Sequence, residues 1–455
     1  MSIQQAPHQT TGAPLGLAPA ARDVTPSATL AMNEAIAERR AAGHDVIHLA
    51  FGQASFPLPP TLRSALADAA THTGYAPVLG TPALRGAISP YLERTRRVSV
   101  PPGQIAVGPG SKPLLYALLQ VLEGDLLLPV PSWVSYAPQA RLAGRRVIGV
   151  QTDPDDHHRL TPQALDEAVA RARREGADPR ILLVNTPSNP TGGMFAHDDV
   201  EALAGWAREA GVTLICDEIY AELAHGWRGH VSPARFYPEG CIVTGGLSKA
   251  FSAGGWRLGY AAVPATEAGA RVIHSLRALA SEIWSAAATP IQDAALVAFS
   301  PSPEIDTYVR QSARLHGIVT GRLYDTLVAL GVPCPRPAGA FYLYPDFAPW
   351  RAELAACGVR TSQELADYLL EEWDLATLPG SEFNEAPDAL RLRLASSMLY
   401  GTDEARLWEL LAAADQPGLP DDTHEADFDL PLLERAQTRL MDCVQYLGSA
   451  VNKRD

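Results

Sequence analysis

The stretch CIVTGGLSKAFSAGGWRLGYAAV, residues 241–263, contains two apolar runs separated by a loop rich in glycine and serine. Runs this short and this apolar are typical of strands that are buried on both faces of a sheet. The loop between them carries Lys249 and, eight residues later, Arg257. We therefore expect a basic loop at the end of a buried strand.

Similar apolar runs precede this stretch and alternate with helix-like segments. The runs are QIAVG (104–108), DLLLPV (125–130), RILLVN (180–185) and TLICD (213–217). Helical spacing of apolar residues occurs between them at 112–122, 165–174 and 200–210. This alternation predicts an α/β fold with a mainly parallel central sheet covered by helices on both faces. The later part of the chain predicts a smaller α+β unit.

Ligands of open parallel sheets bind beyond the carboxyl ends of the strands, so the residues after each run are the candidates for chemistry. The first run is followed by a glycine turn that opens a helix. The later runs are followed by an amide, by a carboxylate with a phenol, and by an amine with a guanidinium. These side chains are Asn189, Asp217 with Tyr220, and Lys249 with Arg257. Taken singly, Asn189 is typical of a turn and Asp217 of a helix cap.

Taken together, these groups match the requirements of pyridoxal phosphate. This cofactor needs a lysine for an imine, an acid that keeps its pyridine nitrogen protonated, and donors to its phenolic oxygen. Its phosphate needs a helix N-terminus and a fixed cation, which Gly110, Ser111 and Arg257 offer. The alternative for the glycine turn is a dinucleotide site, but GPGSKP lacks the third glycine of that fingerprint.

Lysine occurs only at Lys112, Lys249 and Lys453 in the 455 residues. Lys453 lies near the chain end, and Lys112 opens a helix beside the expected phosphate, where a neutral amine would be hard to keep. Lys249 follows a buried run and is flanked by small residues, a setting that favours the neutral, nucleophilic amine. We therefore predict the covalent imine at Lys249.

The composition argues against two classes of function. The chain has 37 Lys and Arg against 51 Asp and Glu, a net charge of −14, which argues against non-specific binding of nucleic acid. No apolar run approaches the roughly 20 residues that span a bilayer, and the N-terminus lacks the pattern of a signal peptide. The five cysteines are scattered without a CxxC pair, so we expect no disulfide framework, no metal site and a cytoplasmic location.

The runs SNPTGG, CDEIYAEL and GGLSKAFSAGGWRLGY resemble motifs of the class I/II aminotransferases of fold type I, the aspartate aminotransferase superfamily. Six further segments resemble blocks of that family in the same order: VIHLAFG (46–52), GYAPVLGTPALRGAI (74–88), VGPGSKPLLYALLQ (107–120), PSWVSYAPQARLAG (131–144), PAGAFYLYP (337–345) and RLRLASS (391–397). The resemblance covers roughly residues 25–415. It implies a pyridoxal-phosphate enzyme that moves the amino group of an L-amino acid to a 2-oxo acid by a ping-pong mechanism.

The resemblance also implies a role for each matched residue around the cofactor. Lys249 would form the imine and shuttle the proton, and Asp217 would pair with the pyridine nitrogen. Tyr220 and Asn189 would hydrogen-bond the phenolic oxygen, and Trp133 would stack on the ring. The residues expected around the phosphate are Gly110, Ser111, Lys112, Ser248 and Arg257.

Substrate and subunit contacts follow from the same resemblance. Arg391 would bind the α-carboxylate of the substrate, assisted by Asn189 and the backbone at Gly52. Arg393, two residues further on, is expected to face the other way and to be structural. Tyr75 would reach the phosphate of a neighbouring subunit, which implies a homodimer with shared active sites.

Two of the departures from the family pattern leave the substrate open. The family commonly has Glu-Pro-Asp where this chain has Gln53-Ala54-Ser55, and close bacterial relatives often have tyrosine where it has Ser132. A dicarboxylic, an aromatic and an apolar amino acid are all compatible with the sequence. Alternatives for the reaction are a C–S lyase, a decarboxylase or an oxidative deaminase on the same fold, and a non-catalytic regulator.

The chain is expected to divide into four parts. Residues 1–25 read as a flexible arm, 26–60 with 325–415 as a small domain, and 61–324 as the large cofactor-binding domain. Residues 416–455 read as an acidic linker followed by a helical extension, with apolar residues at helical spacing over 432–447. We expect this helix to pack on its own subunit.

Overall fold

A computed structural model of the chain describes residues 28–226, 229–415 and 428–451. The expected arm at 1–25, the acidic residues at 416–427 and Lys453 lie outside the described residues. The strands of the described part are β1 (Ile47–His48), β2 (Ile105–Gly108), β3 (Asp125–Val130), β4 (Val147–Gln151), β5 (Pro179–Asn185), β6 (Thr213–Asp217), β7 (Cys241–Gly246), β8 (Gly259–Ala262), β9 (Tyr342–Leu343), β10 (Leu375–Ala376), β11 (Leu378–Pro379) and β12 (Leu392–Ala395).

Helices surround these strands. They are α1 (Ala28–Ala41), α2 (Pro60–Ala69), α3 (Pro82–Arg96), α4 (Ser111–Val121), α5 (Tyr136–Leu142), α6 (Pro162–Arg174), α7 (His197–Ala210), α8 (Glu267–Ile283), α9 (Thr289–Phe299), α10 (Pro303–Ala329), α11 (Arg351–Ala356), α12 (Ser362–Trp373), α13 (Glu404–Ala413) and α14 (Pro431–Val451). Within the described ranges, no helix combines the length and apolar character that crossing a membrane requires.

Seven strands form the central sheet in the order β2-β8-β7-β6-β5-β3-β4. All neighbours from β7 to β4 pair in parallel, while β8 runs antiparallel to both β7 and β2. Successive side chains of a strand point to opposite faces, so Leu214 and Ile215 of β6 enter two different apolar clusters. The mainly parallel, doubly covered sheet that the sequence predicts is confirmed.

The smaller unit contains two short sheets. β1 pairs in parallel with β10, and β11, β12 and β9 form an antiparallel sheet. Its apolar cluster draws on α10, α12, α13 and α14 as well as on these strands. α12 begins with a capping box, in which the Thr361 side chain and the Glu364 side chain each bind the other residue's backbone N–H. The domain boundaries given above stay a prediction.

The topology brings the ends of six strands to one edge of the central sheet. β3, β4, β5, β6 and β7 run in the same direction, and β2 joins them because it is antiparallel to the one reversed strand, β8. The carboxyl ends of all six strands therefore lie along one edge. That edge is where open α/β sheets bind their ligands.

Candidate active site

Lys249 follows β7 at this edge and lies in a partly buried loop. Its Nζ donates a hydrogen bond to the carbonyl oxygen of Gly52 at 2.5 Å, and the ring centroids of Tyr220 and Phe341 lie 5.5 and 5.7 Å from Nζ. Burial, together with the charges of Arg393 and Arg257, lowers the pKa of the Lys249 amine to about 7. A substantial fraction of this amine is therefore neutral and nucleophilic at neutral pH.

Asp217 ends β6 and is buried. Tyr136 Oη donates to its Oδ2 at 2.9 Å, and Thr244 Oγ1 donates to its Oδ1 at 3.1 Å. Burial raises the pKa of the Asp217 carboxyl to about 6, which still leaves it mostly ionised at pH 7. Among the described residues it forms no salt bridge. A buried carboxylate held by two neutral donors suits a cationic ring nitrogen.

Tyr220 and Asn189 lie in the segments that follow β6 and β5. The hydroxyl oxygens of Tyr220 and Tyr342 are 2.7 Å apart and share a hydrogen bond. The Asn189 backbone N–H donates to Asn185 Oδ1 at 2.7 Å, and the Asn185 amide donates to the Asp217 carbonyl at 2.8 Å. Asn185 thus fixes the loop after β5 to the end of β6.

A cradle for an anionic group lies where α4 begins. Gly110 has φ +100° and precedes Ser111, the first residue of the helix, whose N-terminal N–H groups favour anions. A β-carbon at Gly110 would lie 2.3 Å from Arg257 Nη2, and one at Gly259 would lie 2.4 Å from the Ser111 nitrogen. Only residues without a side chain allow this close approach of backbone and guanidinium.

Two more predicted residues border the cradle. The Lys112 Nζ lies 4.9 Å from the ring centroid of Trp133, and burial with the charge of Arg257 lowers the pKa of the Lys112 amine. Trp133 meets Tyr136 edge to face with ring centroids 5.1 Å apart. Ser248 directly precedes Lys249 in the loop after β7.

The residues present fit pyridoxal phosphate. Asp217 offers an anion to a ring nitrogen, the α4 N-terminus with Arg257 offers donors and charge to a phosphate, and Lys249 offers a neutral amine to an aldehyde. When bound, this cofactor supplies an electron sink for negative charge that develops at the substrate Cα. No group of three or more His, Cys, Asp or Glu that could hold a metal is found in the described part of the chain.

The structure places the two arginines after residue 390 differently from the expectation that Arg391 binds the substrate and Arg393 faces away. Arg391 precedes β12, and its guanidinium binds Asp346 and Glu385, each at 2.9 Å. Arg393 instead lies in the site: its Nη1 is 3.4 Å from Asn189 Oδ1 and its Nη2 donates to the Ala50 carbonyl. Side chains two residues apart on a strand point to the same face. The alternation of side chains therefore does not predict that Arg393 faces away from the site.

Arg393 has an unused donor. Its side chain is buried, packs with its guanidinium carbon 4.9 Å from the Tyr342 ring centroid and 5.3 Å from that of Phe383, and leaves Nε without a hydrogen-bond partner. A buried guanidinium N–H without a partner is costly, which points to an acceptor supplied from outside the chain. A carboxylate is the acceptor that matches a guanidinium best.

Sequence reasoning missed four residues of the site: Tyr136, Thr244, Tyr342 and Arg393. Thr244 lies inside the strand run CIVTG, whose side chains alternate, so its place opposite Asp217 follows only from the register of β6 and β7. Tyr136 lies three residues after Trp133 at the first position of α5, a helical spacing that could have indicated it. No local signal separates Tyr342 from its neighbours in PAGAFYLYP.

Tyr75 lies on the surface. Its side chain is 99% exposed, and it is the most exposed large apolar residue of the described chain.

Comparison with known proteins supports the same assignment. The family model "Aminotransferase class I and II" matches residues 44–405. The aspartate aminotransferase of Geobacillus stearothermophilus is 38% identical over 84% of this chain and 95% of its own length. The aspartate/prephenate aminotransferase of Thermus thermophilus is 33% identical over 84% and 95%.

Solved structures agree. The aspartate aminotransferase from Thermus thermophilus with maleate has a TM-score of 0.76 and 32% identity, covering 88% of this chain and 98% of that one. The predictions of fold type I, of pyridoxal phosphate as the cofactor and of amino transfer as the reaction are confirmed. The chain thus belongs to the class I and II aminotransferases and transfers amino groups between amino acids and 2-oxo acids with pyridoxal phosphate.

Proposed function

We propose that this aminotransferase acts on an acidic L-amino acid, with aspartate as the first candidate donor. The observation that carries this proposal is the charge of the site. Three basic side chains, Arg393, Arg257 and Lys112, act electrostatically on Lys249, against the single carboxylate of Asp217. Such a surplus of positive charge suits the binding of a cofactor phosphate together with two substrate carboxylates. Several relatives are named as aspartate aminotransferases.

Each residue then has a defined task. Arg393 binds the α-carboxylate through its unpartnered Nε, and Asn189 lies beside it. Lys249 accepts the proton from the substrate Cα as its neutral amine, which the neighbouring cations favour. Asp217 keeps the ring nitrogen charged, and Tyr220, held by Tyr342, donates to the phenolic oxygen.

Lys112 is our candidate for the second carboxylate of the substrate. Its ammonium lies over the ring of Trp133, the aromatic proposed to stack on the cofactor ring. We expect Lys112→Gln to lower kcat/KM for aspartate by about tenfold or more while leaving that for alanine within about twofold. Half-reactions with a panel of amino donors, followed by the spectral change of the cofactor, measure this. An equal loss for both donors would contradict the assignment.

We further propose that the enzyme is a homodimer in which Tyr75 serves the neighbouring site. A fully exposed tyrosine is unusual for a monomer surface, and Ile283 adds a second exposed apolar side chain, at 54%. Mixing the Tyr75→Ala and Lys249→Ala variants should produce more activity than either alone, since one site of each hybrid is intact. A mixture whose activity equals the sum of the activities of the two separate variants would contradict shared active sites.

A cytoplasmic location is proposed from the thiols. All five cysteines are free, and Cys216 and Cys241 remain unbonded with their sulfur atoms 3.6 Å apart. This is the state expected of a reducing compartment.

A further inference from the structure

The helix α14 lies outside the region that the family model matches, which ends at residue 405. One face of α14 is buried in the apolar cluster of the smaller unit, together with Leu323 and Leu327 of α10. Its buried residues are Leu433, Ala436, Leu440, Cys443, Val444 and Leu447. The helix therefore packs on its own chain.

Arg439 of α14 reaches the starting points of two strands at once. Its Nη1 donates to the Asp45 carbonyl at 2.6 Å and to the Asp374 carbonyl at 3.1 Å, and its Nη2 donates to Asp45 Oδ2 at 3.1 Å. Asp45 lies two residues before β1, and Asp374 directly precedes β10. The Asp374 carbonyl also accepts the Ile47 N–H at 2.9 Å, which is a ladder bond of this strand pair. The Arg439 guanidinium thus links the N-terminal ends of β1 and β10.

Both strands lead into the active site. From β1 the chain continues to Ala50, whose carbonyl accepts from Arg393, and to Gly52, whose carbonyl accepts from Lys249. From β10 the chain continues to Phe383, whose ring lies 5.3 Å from the Arg393 guanidinium. The backbone that contacts the reactive amine and the carboxylate-binding arginine is therefore held at its outer end by α14.

We propose that Arg439 is a positioning residue that sets the geometry of the substrate-carboxylate site through the β1/β10 pair. The inference rests on the proposed role of Arg393 in binding the substrate. β1 and β10 have only two residues each, so the pair has few backbone hydrogen bonds of its own. A charged donor at the start of both strands therefore contributes a large part of the stability of the pair. Loss of Arg439 would let residues 45–52 shift and loosen the contacts of Ala50 and Gly52.

Arg435 provides a matched control on the same helix. It lies one turn before Arg439 and binds the same residue, but only at the exposed Asp45 carboxylate, with no contact to a backbone carbonyl among its described hydrogen bonds. An effect of charge or of general helix docking would appear in both variants. An effect through the strand origins would appear only at Arg439.

The experiment compares Arg439→Ala and Arg435→Ala in the full-length holoenzyme. Amide hydrogen exchange is followed at Ile47 and Leu49, which bond to Asp374 and Ala376, and KM and kcat are measured with aspartate or the best donor of the panel. We expect exchange at these two amides to accelerate about tenfold and KM to rise about threefold to tenfold in Arg439→Ala, with kcat within about twofold. Arg435→Ala should match the parent enzyme.

Two outcomes would overturn the proposal: equal behaviour of the two variants, or faster exchange spread evenly over the central strands, which would mark Arg439 as a general stabiliser. If Arg439→Ala fails to fold, Arg439→Gln, which retains an amide donor group, is compared with Arg435→Gln by the same criteria. The exchange result does not depend on any substrate. A failure of Arg393 to bind the α-carboxylate is therefore distinguishable from a failure of Arg439 to hold the strands.

Discussion

Individual side chains in this site are tuned by the charges around them. Lys249 would titrate near 10.4 in water, but here it lies in a desolvated loop near Arg393 and Arg257, and its pKa falls to about 7. Asp217 moves in the opposite direction, to about 6, because burial penalises its charge. The amine can therefore be neutral while the carboxylate is ionised, which is the pair of states that this chemistry needs at neutral pH.

The lowered pKa of Lys249 predicts the pH dependence of cofactor capture. Only the neutral amine attacks an aldehyde, and a pKa of about 7 means that this form dominates above pH 7. The rate at which apoenzyme combines with pyridoxal phosphate should rise with pH up to about 7 and then level off. Free lysine serves as the control and should keep gaining rate up to about pH 10. A rate of cofactor capture that keeps rising to about pH 10, as it does for free lysine, would contradict the lowered pKa of Lys249.

Substitutions of the two neighbouring arginines, Arg391 and Arg393, should differ in their effect on KM. Arg393→Lys keeps the charge but loses the planar fork, so KM for the amino donor should rise about tenfold to a hundredfold. Arg391→Lys alters only the contacts with Asp346 and Glu385, so KM should stay within about twofold. Steady-state kinetics on both variants measure this. A larger effect at Arg391 would restore the role that the sequence resemblance implied.

At the scale of elements, turn geometry after β2 makes the phosphate cradle possible. Gly110 adopts φ +100° and ψ 164°, a backbone region that is essentially restricted to glycine. This conformation lets the Arg257 guanidinium lie close to the backbone where α4 begins. The anion site for the cofactor therefore depends on glycine at position 110.

Gly110→Ala should therefore weaken cofactor binding. The substitution costs about 1–3 kcal/mol in backbone strain and presses on Arg257, so the dissociation constant of pyridoxal phosphate should rise about tenfold or more. Gly86→Ala is the control, because Gly86 lies in α3 with no atom near its missing β-carbon and no positive φ. Fluorescence titration of the apoenzyme compares the two. Parent-like affinity in Gly110→Ala would contradict the account of the cradle.

The elements themselves were largely predictable from the sequence. The runs DLLLPV and TLICD coincide with β3 and β6 because strands buried on both faces must be apolar throughout. The edge strand β4, VIGVQ, was missed because alternate residues are only half-buried or exposed and its apolar signal is short. Tyr342 and Arg393 were missed as site residues for a different reason, since their positions depend on how the smaller unit packs against the sheet.

At the scale of the whole molecule, charge is unevenly distributed. The chain carries a net charge of −14, yet its catalytic edge gathers Lys112, Lys249, Arg257 and Arg393 around one carboxylate. An anionic surface with a cationic pocket directs small anions to the pocket and keeps the protein soluble. The smaller unit completes that pocket by supplying Arg393 and the backbone from Ala50 to Gly52.

A single turnover with aspartate tests the central claim most directly. Purified holoenzyme mixed with excess L-aspartate, without any 2-oxo acid, should form oxaloacetate in an amount equal to the bound cofactor. It should release neither ammonia nor carbon dioxide. Later addition of 2-oxoglutarate should yield glutamate and restore the original spectrum, and Lys249→Ala should do none of this. Release of ammonia or carbon dioxide, or turnover retained in Lys249→Ala, would contradict amino transfer through this site.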